Sequence, residues 1–474
     1  MGPCPPARHV AAACLVTAVT IGASAGCTPG GASTSSTPAS GASPTARPAA
    51  LAPALPGRAL ASPGCSSATA AGTLLGPAGT TSVATGGSPF GVAATPDGRW
   101  AFAATSGGPG LAGAPSVEVL RLMDGRGAGA APAVTKVRSI RLPAPPGTAG
   151  LPAGAVQPAG TVITPDGKYL LVAEGSGAVV ISVVRAESGT AGAVLGSLAA
   201  PASTGARAPL GGAIEAAVSP DGRFAFVTLE DEGEAAVFNL SSAVAHGFGA
   251  ADYVGAIPLG GAPVGMAVAP GGRWLYATSE GATRAQHPVG LGAPGGCAGG
   301  VPSTEASEPP GTLTEIDLRR AETDPVHSVT ATVDAGYQPV RVVTAADGTQ
   351  VWVTARASDD LLCFSAAQLA ADPVHALVAI TRVGSEPVGL AAVPGGSLLV
   401  VANSNRFGAS GESSSLSVVS VAAALAGRQA VVADLPTGLF PRDMAVSPGG
   451  TLLVSDYASG QVQAIATAHL RQGG

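Results

Sequence analysis

Three charged side chains stand at a position where a repeated motif otherwise has glycine. The motif runs from a short stretch of small apolar residues through Pro-Asp-Gly or Pro-Gly-Gly into an alternating apolar run. Seven residues before the glycine of this turn, the motif has glycine in four copies and Glu215, Arg341 or Asp443 in the other three. A guanidinium between carboxylates can hold a charged ligand, polarise an ester carbonyl, or pair with its neighbours.

More polar residues follow the apolar run after each turn, and Arg442 directly precedes Asp443. If the copies surround an axis, both sets of side chains face the same side. We therefore predict a ligand site at one mouth of a central channel, formed by Glu215, Arg341, Asp443, Arg442, Glu174, Arg356, Asn403, Arg406 and Asp456. Two alternatives stay open. The charges pair with each other and with free backbone N–H groups, fastening the copies together, or they serve catalysis, for which we assign no residue.

The elements that must position these residues come from the repeat itself. Seven copies begin at Ser88, Gln157, Ala213, Ala262, Gln338, Glu386 and Phe440. Asp-Gly and Gly-Gly supply the positive φ angles of a tight hairpin. Four residues past the turn glycines stand large apolar residues, namely Phe102, Leu171, Phe226, Tyr276, Trp352, Val400 and Val454. Two further β-like runs follow each hairpin, which predicts an all-β fold, a seven-bladed β-propeller.

The last copy has a third strand at residues 461–466 and no sequence left for a fourth. Residues 80–85 (TTSVAT) have the character of the missing outer strand. We therefore expect this N-terminal strand to close the last blade, which removes the exposed edges of an open ring.

The N-terminal segment has the pattern of an export signal. Arg8 precedes an apolar run at residues 10–22, and the run ends at Ser24-Ala25-Gly26-Cys27, which resembles a bacterial lipobox. We expect a signal peptide over residues 1–26 and lipidation of Cys27. The protein would then be anchored to the outer face of the bacterial cytoplasmic membrane, with secretion as the alternative. Residues 27–72, rich in Pro, Ser, Ala and Gly, are expected to be a disordered tether before a propeller over 73–474.

Composition limits the classes of partner. The chain has 474 residues, 24 basic and 30 acidic, and a formal charge of −6, so we expect no nucleic-acid binding. We expect membrane contact through the lipid anchor alone, a monomer, and an unidentified protein or small-molecule partner. The six histidines avoid the inner strands, and no HExxH or CxxC motif occurs, so we expect neither a metal nor a cofactor. The acidic cluster Glu230, Asp231, Glu232 and Glu234 fits no Ca²⁺ loop and is expected to be a solvated turn.

The cysteines outside the signal divide into two kinds. Cys363 lies in an apolar strand and is expected to be a buried small hydrophobe. Cys65 and Cys297 lie in loops, where an oxidising compartment permits either a disulfide between them or two free thiols.

Three segments carry a family resemblance: EAAVSPDG at 215–222, DMAVSPGG at 443–450 and LLVVAN at 398–403. With these motifs the chain resembles the YVTN-type propellers, a family that includes lactonase-like enzymes and proteins without assigned chemistry. We expect a non-catalytic extracytoplasmic propeller that presents a rigid face to a partner or small ligand. The alternative that the resemblance permits is a lactonase-like hydrolase acting on a lactone or ester at the channel mouth.

Overall fold

The repeated motifs form hairpins in the positions that the sequence predicts. The computed structural model describes residues 64–66, 72–76, 79–107, 114–123, 125, 130–145, 156–201, 212–282, 310–406 and 413–471. In the first hairpin the turn residue Gly98 has φ 71°, and Thr95 N donates to Trp100 O at 2.9 Å. Asp97 Oδ1 accepts from Arg99 N at 3.0 Å, which holds the turn. A side chain other than glycine is strained at that φ, so the motif needs its glycine.

Seven sheets arise from these hairpins. The first three strands, β1 (Gly64–Ser66), β2 (Thr73–Leu74) and β3 (Thr80–Ala84), precede the first motif. Blades 1 to 4 then comprise β4 (Ser88–Ala94), β5 (Trp100–Ser106), β6 (Ser116–Met123), β7 (Ala133–Arg141); β8 (Thr161–Ile163), β9 (Tyr169–Glu174), β10 (Gly177–Ser182), β11 (Val194–Ala199); β12 (Ala213–Val218), β13 (Phe224–Leu229), β14 (Glu234–Asn239), β15 (Tyr253–Pro258); and β16 (Gly261–Val268), β17 (Trp274–Gly281), β18 (Thr312–Asp317), β19 (Val329–Asp334).

The remaining three blades follow the same antiparallel order from the inner strand outward. Blades 5 to 7 comprise β20 (Pro339–Thr344), β21 (Gln350–Ala355), β22 (Asp360–Ser365), β23 (Leu377–Arg382); β24 (Pro387–Ala392), β25 (Leu398–Asn403), β26 (Ser415–Ser420), β27 (Val431–Pro436); and β28 (Pro441–Val446), β29 (Thr451–Asp456), β30 (Gln461–Ala466). Each inner strand packs against the inner strands of its two neighbours, and β28 of blade 7 packs against β4 of blade 1. The predicted seven-bladed propeller is confirmed.

The ring closes as the sequence predicts. Strand β3 pairs antiparallel with β30, with Val83 opposite Val462. Blade 7 therefore takes its outer strand from the N-terminal side of the chain, which joins the two ends of the ring by backbone hydrogen bonds.

The N-terminal segment also extends two neighbouring blades. Strand β1 pairs in parallel with β23 of blade 5, and β2 pairs in parallel with β27 of blade 6. Residues 64–66 lie inside the range that we predict to be tether, and their backbone joins a sheet. The chain thus lies on the outer edges of blades 5, 6 and 7 in succession before the first repeat begins.

Short helices follow the third strand of six blades. They are α1 (Val183–Ser188), α2 (Leu240–His246), α3 (Leu318–Ala321), α4 (Ala366–Ala371), α5 (Val421–Leu425) and α6 (Thr467–Leu470). Four short 3₁₀ turns lie at Ala250–Asp252, Pro325–His327, Arg356–Ser358 and Pro373–His375. In the described part of the chain no helix has the length and apolarity to cross a membrane.

The core lies between neighbouring blades. The large residues after each turn are almost fully buried there, as expected, with Trp352 and Tyr276 the largest of them. Cys363 is buried and unpaired, which confirms the expectation for this residue. Cys27 and Cys297 lie outside the described residues, and only the backbone of Cys65 is described, so lipidation and the Cys65–Cys297 disulfide stay predictions.

Candidate binding site at the channel mouth

The three exceptional charges of the repeat meet in the channel. Arg341 in blade 5 forms ion pairs with Glu215 in blade 3 and with Asp443 in blade 7. Its Nη2 lies 3.1 Å from Asp443 Oδ1, and its Nη1 donates to Glu215 Oε2. All three residues are buried. Together they form a triad that links three blades across the axis.

Glycines in the intervening blades make room for this triad. A Cβ atom on Gly160 of blade 2 would lie 2.6 Å from Glu215 Oε1, and one on Gly265 of blade 4 would lie 2.2 Å from Val340 O. Both distances are far below van der Waals contact. Gly160 therefore leaves room for the Glu215 carboxylate, and Gly265 allows the close approach of the neighbouring inner strand that carries Arg341.

Hydroxyl groups on the second strands fix the backbone beneath the triad. Arg341 N donates to Thr354 Oγ1 at 3.0 Å, and this hydroxyl donates to Val388 O of the next blade at 3.0 Å. Asp443 N donates to Ser455 Oγ, also at 3.0 Å. The charged residues thus lie on a rigid, cross-linked rim.

The triad contains two carboxylates and one guanidinium. Burial raises the pKa of Glu215, and the neighbouring Asp443 reinforces this, while Arg341 opposes it. Asp443 Oδ2 also accepts from Val92 N at 3.1 Å. These contacts match the alternative in which the three charges fasten the blades, so these side chains have little capacity left for a ligand.

A solvent-open cavity lies beside the triad at the mouth of the channel, and its empty space, open solvent included, is about 530 Å³. Four arginines and two glutamates line it together with aromatic and aliphatic residues. The lining comprises Phe90, Ile214, Glu230, Val264, Glu280, Val340, Arg341, Arg356, Val388, Arg406, Phe440 and Arg442. In a chain with a net charge of −6, four arginines are thus concentrated at this mouth, and the two carboxylates that pair with Arg341 lie beside the lining.

Arg356 is positioned by two polar neighbours. Its Nη2 lies 3.1 Å from Glu280 Oε2 and donates to Gln338 Oε1 at 2.7 Å. Gln338 has φ 50°, a left-handed conformation that is unfavourable for a residue with a side chain. Arg356 is therefore held in place, with its charge compensated by Glu280.

Arg442 is held in a different way. Its guanidinium carbon lies 3.9 Å from the ring centroid of Phe90, 5.2 Å from that of Phe440 and 5.9 Å from that of Tyr457. Within the described part of the structure Arg442 forms neither a hydrogen bond nor an ion pair, and its Nε is buried without a partner. Burial lowers the pKa of Arg442 to about 9, and the nearby Arg406 and Arg341 add to this. Three aromatic faces therefore stabilise a cation that lacks an anionic partner.

Glu230 is the negative counterpart. It lines the cavity, and no hydrogen bond or ion pair of its carboxyl group is present among the described residues. Burial raises its pKa, Glu280 and Asp231 add to this, and Arg442 and Arg356 oppose it. The expectation of a solvated turn is therefore wrong for Glu230, because its side chain is half-buried at the mouth.

Three predicted site residues lie away from the cavity lining. Glu174, Asn403 and Asp456 end the second strands of blades 2, 6 and 7 and are buried inside the ring. Asn403 donates to Ser415 and Ser417, and Asp456 accepts from Thr437 and Gln461. The carboxyl oxygens of Glu174 have no hydrogen-bond partner in the described structure, and burial raises its pKa to about 7.

The alternation of side chains along a strand explains why these three residues do not line the cavity. Successive residues of a strand point to opposite sides, and the residue after the strand-end position is the one that reaches the mouth. That next residue is Glu230 in blade 3 and Arg356 in blade 5. Of the predicted residues, Glu215, Arg341 and Asp443 meet in the triad, and Arg341, Arg356, Arg406 and Arg442 line the cavity. The aromatic residues Phe90 and Phe440, at the start of the inner strands, were missed.

Among the residues that the structure describes, no group of three or more His, Cys, Asp or Glu side chains is arranged to hold a metal ion.

The architecture and its site define a class: a seven-bladed β-propeller with a charged triad across its channel and a polar, arginine-rich mouth. Among solved structures the chain is similar to hydrazine synthase of Kuenenia stuttgartiensis, with a TM-score of 0.54 and 16% sequence identity over 85% of this chain and 99% of that one. A likeness at this identity concerns the fold alone. No family model and no curated protein matches the sequence.

Proposed function

We propose that this protein is a non-catalytic binding protein whose channel mouth holds a small ligand through a carboxylate group. Arg442 is the observation that carries the proposal. Arg442 is half-buried, its Nε is fully buried, and among the described residues its guanidinium has no anionic partner, which is unfavourable for a charge partly removed from water. A carboxylate in the plane of the guanidinium would restore the missing hydrogen bonds, while Phe90 stays stacked on its face.

The rigid rim supports the same proposal. Arg341 and Arg356 are locked by ion pairs, so the mouth is shaped before a ligand arrives and little side-chain entropy is lost on binding. In agreement with the predicted lipobox at Cys27 and the family resemblance, we place this activity outside the cytoplasm, on a lipid-anchored YVTN-type propeller.

Calorimetric titration of the purified protein with propionate at pH 7 tests the proposal. We expect saturable binding that weakens by about tenfold or more in Arg442→Gln, because a charge-assisted hydrogen bond is lost. The matched control is Arg273→Gln. Arg273 is exposed beside a hairpin turn at the opposite end of the channel and stacks on Trp274 at 4.4 Å, as Arg442 stacks on Phe90. Equal propionate affinity in wild type and Arg442→Gln contradicts the proposal.

One observation favours a second candidate, the lactonase-like hydrolase. Glu230 is a half-buried carboxyl with a raised pKa at the mouth, close enough to Arg442 and Arg356 for their charges to affect it. It has the features of a general base for an attacking water, with the arginines stabilising the oxyanion of a lactone or ester.

Hydrolysis of γ-butyrolactone and p-nitrophenyl acetate, followed by pH-stat and absorbance, tests this candidate. Turnover that is lost in Glu230→Gln and retained in Glu234→Gln supports the hydrolase. Turnover equal to the buffer blank rejects it and leaves the binding function untouched.

A further inference from the structure

Two opposite charges without partners face the same cavity. Arg442 and Glu230 both line the mouth, and neither forms a hydrogen bond or an ion pair in the described structure, not even with each other. The other carboxylate of the lining, Glu280, is paired with Arg356, and Arg341 is paired within the triad. Arg406 also has an interaction partner, so among the described residues Arg442 and Glu230 are the cation and the carboxyl of the mouth that are unpaired.

From this pair we infer that the ligand is a small zwitterion of the α-amino-acid type, with its carboxylate on Arg442 and its ammonium on Glu230. The inference rests on the proposed carboxylate-binding function and adds the second charge. A monocarboxylate would satisfy Arg442 alone and would be repelled by Glu230. A zwitterion supplies the missing partner to both groups, and each charge-assisted hydrogen bond is among the strong ones.

Aliphatic residues form one part of the cavity wall. Ile214, Val264, Val340 and Val388 come from the inner strands of blades 3 to 6 and pack against each other in one cluster. The side chains of this aliphatic part of the wall form no hydrogen bonds, so a polar side chain of the ligand placed against it would be desolvated at a cost. We therefore expect a short aliphatic side chain, and alanine is the simplest ligand to test.

Alanine and propionate form a matched pair, since they differ only in the α-ammonium group. Calorimetry at pH 8 should give about tenfold tighter binding of L-alanine than of propionate. Ethylamine, which lacks the carboxylate, should bind more weakly than alanine. In Glu230→Gln the preference for alanine should vanish, while propionate binds at least as well as before.

Glu234→Gln is the matched control, because Glu234 is half-buried in the next strand of the same blade and lies outside the cavity lining. If wild-type protein binds alanine no more tightly than propionate, the inference is overturned, whether or not Glu230→Gln folds. A preference for alanine that persists in folded Glu230→Gln overturns it as well. If propionate binds through Arg442 without a preference for alanine, only the inference falls, whereas the absence of binding by either ligand removes the proposed function with it.

Discussion

Arg341 Nη2 lies 3.1 Å from Asp443 Oδ1, although these residues belong to blades 5 and 7 with a whole blade between them. In the intervening blade 6, Gly389 occupies the repeat position that Arg341 and Asp443 occupy in blades 5 and 7. A Cβ atom on Gly389 would lie 3.1 Å from the Cβ atom of Ala402 and 3.3 Å from Arg442 O. The ion pair therefore spans the channel over a glycine. Arg341 likewise pairs with Glu215 of blade 3, with blade 4 between them. The residues of these two pairs link blades 3, 5 and 7 across the channel.

Arg341→Met should strongly destabilise the ring, because it leaves Glu215 and Asp443 buried without a cation. We expect the free energy of unfolding to fall by about 3–5 kcal/mol, measured by urea titration. The triple variant Glu215→Gln, Arg341→Met, Asp443→Asn removes the charges together and should recover most of the loss. A single variant as stable as wild type would contradict the structural role of the triad.

Phe440→Gly and Phe440→Leu separate backbone strain from ligand support. Phe440 has φ 53°, which costs about 1 kcal/mol or more for a residue other than glycine. The glycine variant should therefore unfold at a higher urea concentration than the leucine variant. Both should bind propionate about threefold or more weakly, because Arg442 loses one of its aromatic faces. Unchanged affinity in both variants would show that this ring does not position the guanidinium.

Glu174→Gln should stabilise the protein in a pH-dependent way. Burial raises the pKa of Glu174 to about 7, so the folded protein retains a proton that the unfolded chain has released. Deprotonation of Glu174 should therefore lower the free energy of unfolding of the wild type as pH rises from about 4.5 to about 7. Glu174→Gln lacks this contribution and should be more stable than wild type by about 1–3 kcal/mol at pH 8, with no difference near pH 4.

The comparison for this pH effect is Glu187→Gln, at a half-buried carboxyl on α1 of the same blade. Burial also raises the pKa of Glu187, but its side chain is less buried than that of Glu174, so we expect a smaller effect of the same sign. We would measure the melting temperatures of wild type and Glu174→Gln from pH 4 to 8. If the two melting temperatures change with pH in parallel, Glu174 does not have a raised pKa in the folded protein. Such a result would mean that Glu174 is ionised in the folded state without penalty.

Ring closure by β3 predicts a contrast between two adjacent residues. Val83 packs against the core between blades 7 and 1, whereas Ser82 on the same strand is exposed. Val83→Asp should lower the free energy of unfolding by about 1–3 kcal/mol, and Ser82→Asp should change it by about 0.5 kcal/mol or less. Equal effects of the two substitutions on urea unfolding would argue against a packed closing strand.

The fold could be predicted because its signals are local and repeated. Turn glycines such as Gly98 and buried residues such as Phe102 recur in each copy, and the strand at residues 80–85 was expected from the gap in the last copy. The added strands β1 and β2 could not be predicted in this way. They join sheets through backbone hydrogen bonds, and their Pro, Ser and Gly-rich surroundings carry no periodicity.

The site could be predicted only in part. Breaks in the repeat located Glu215, Arg341 and Asp443, because a charge that replaces glycine stands out without an alignment. The sequence predicts Glu174 at the mouth and Glu230 in a solvated turn, whereas Glu174 is buried inside the ring and Glu230 lines the cavity. One residue of uncertainty in the end of a strand turns a side chain to the other side. Phe90 could not be predicted as a site residue, because an aromatic residue within an apolar run is usually part of the hydrophobic core.

The most direct test of a carboxylate site at Arg442 is a crystal structure with 2-bromopropionate, whose bromine marks the ligand by anomalous scattering. We predict one anomalous peak in the channel mouth, with the carboxylate within hydrogen-bond distance of the Arg442 guanidinium and the bromine toward Val264 and Val340. The peak should be absent from crystals of Arg442→Gln. A peak that persists in Arg442→Gln, or bromine bound only at other surfaces of the wild-type protein, would contradict the account.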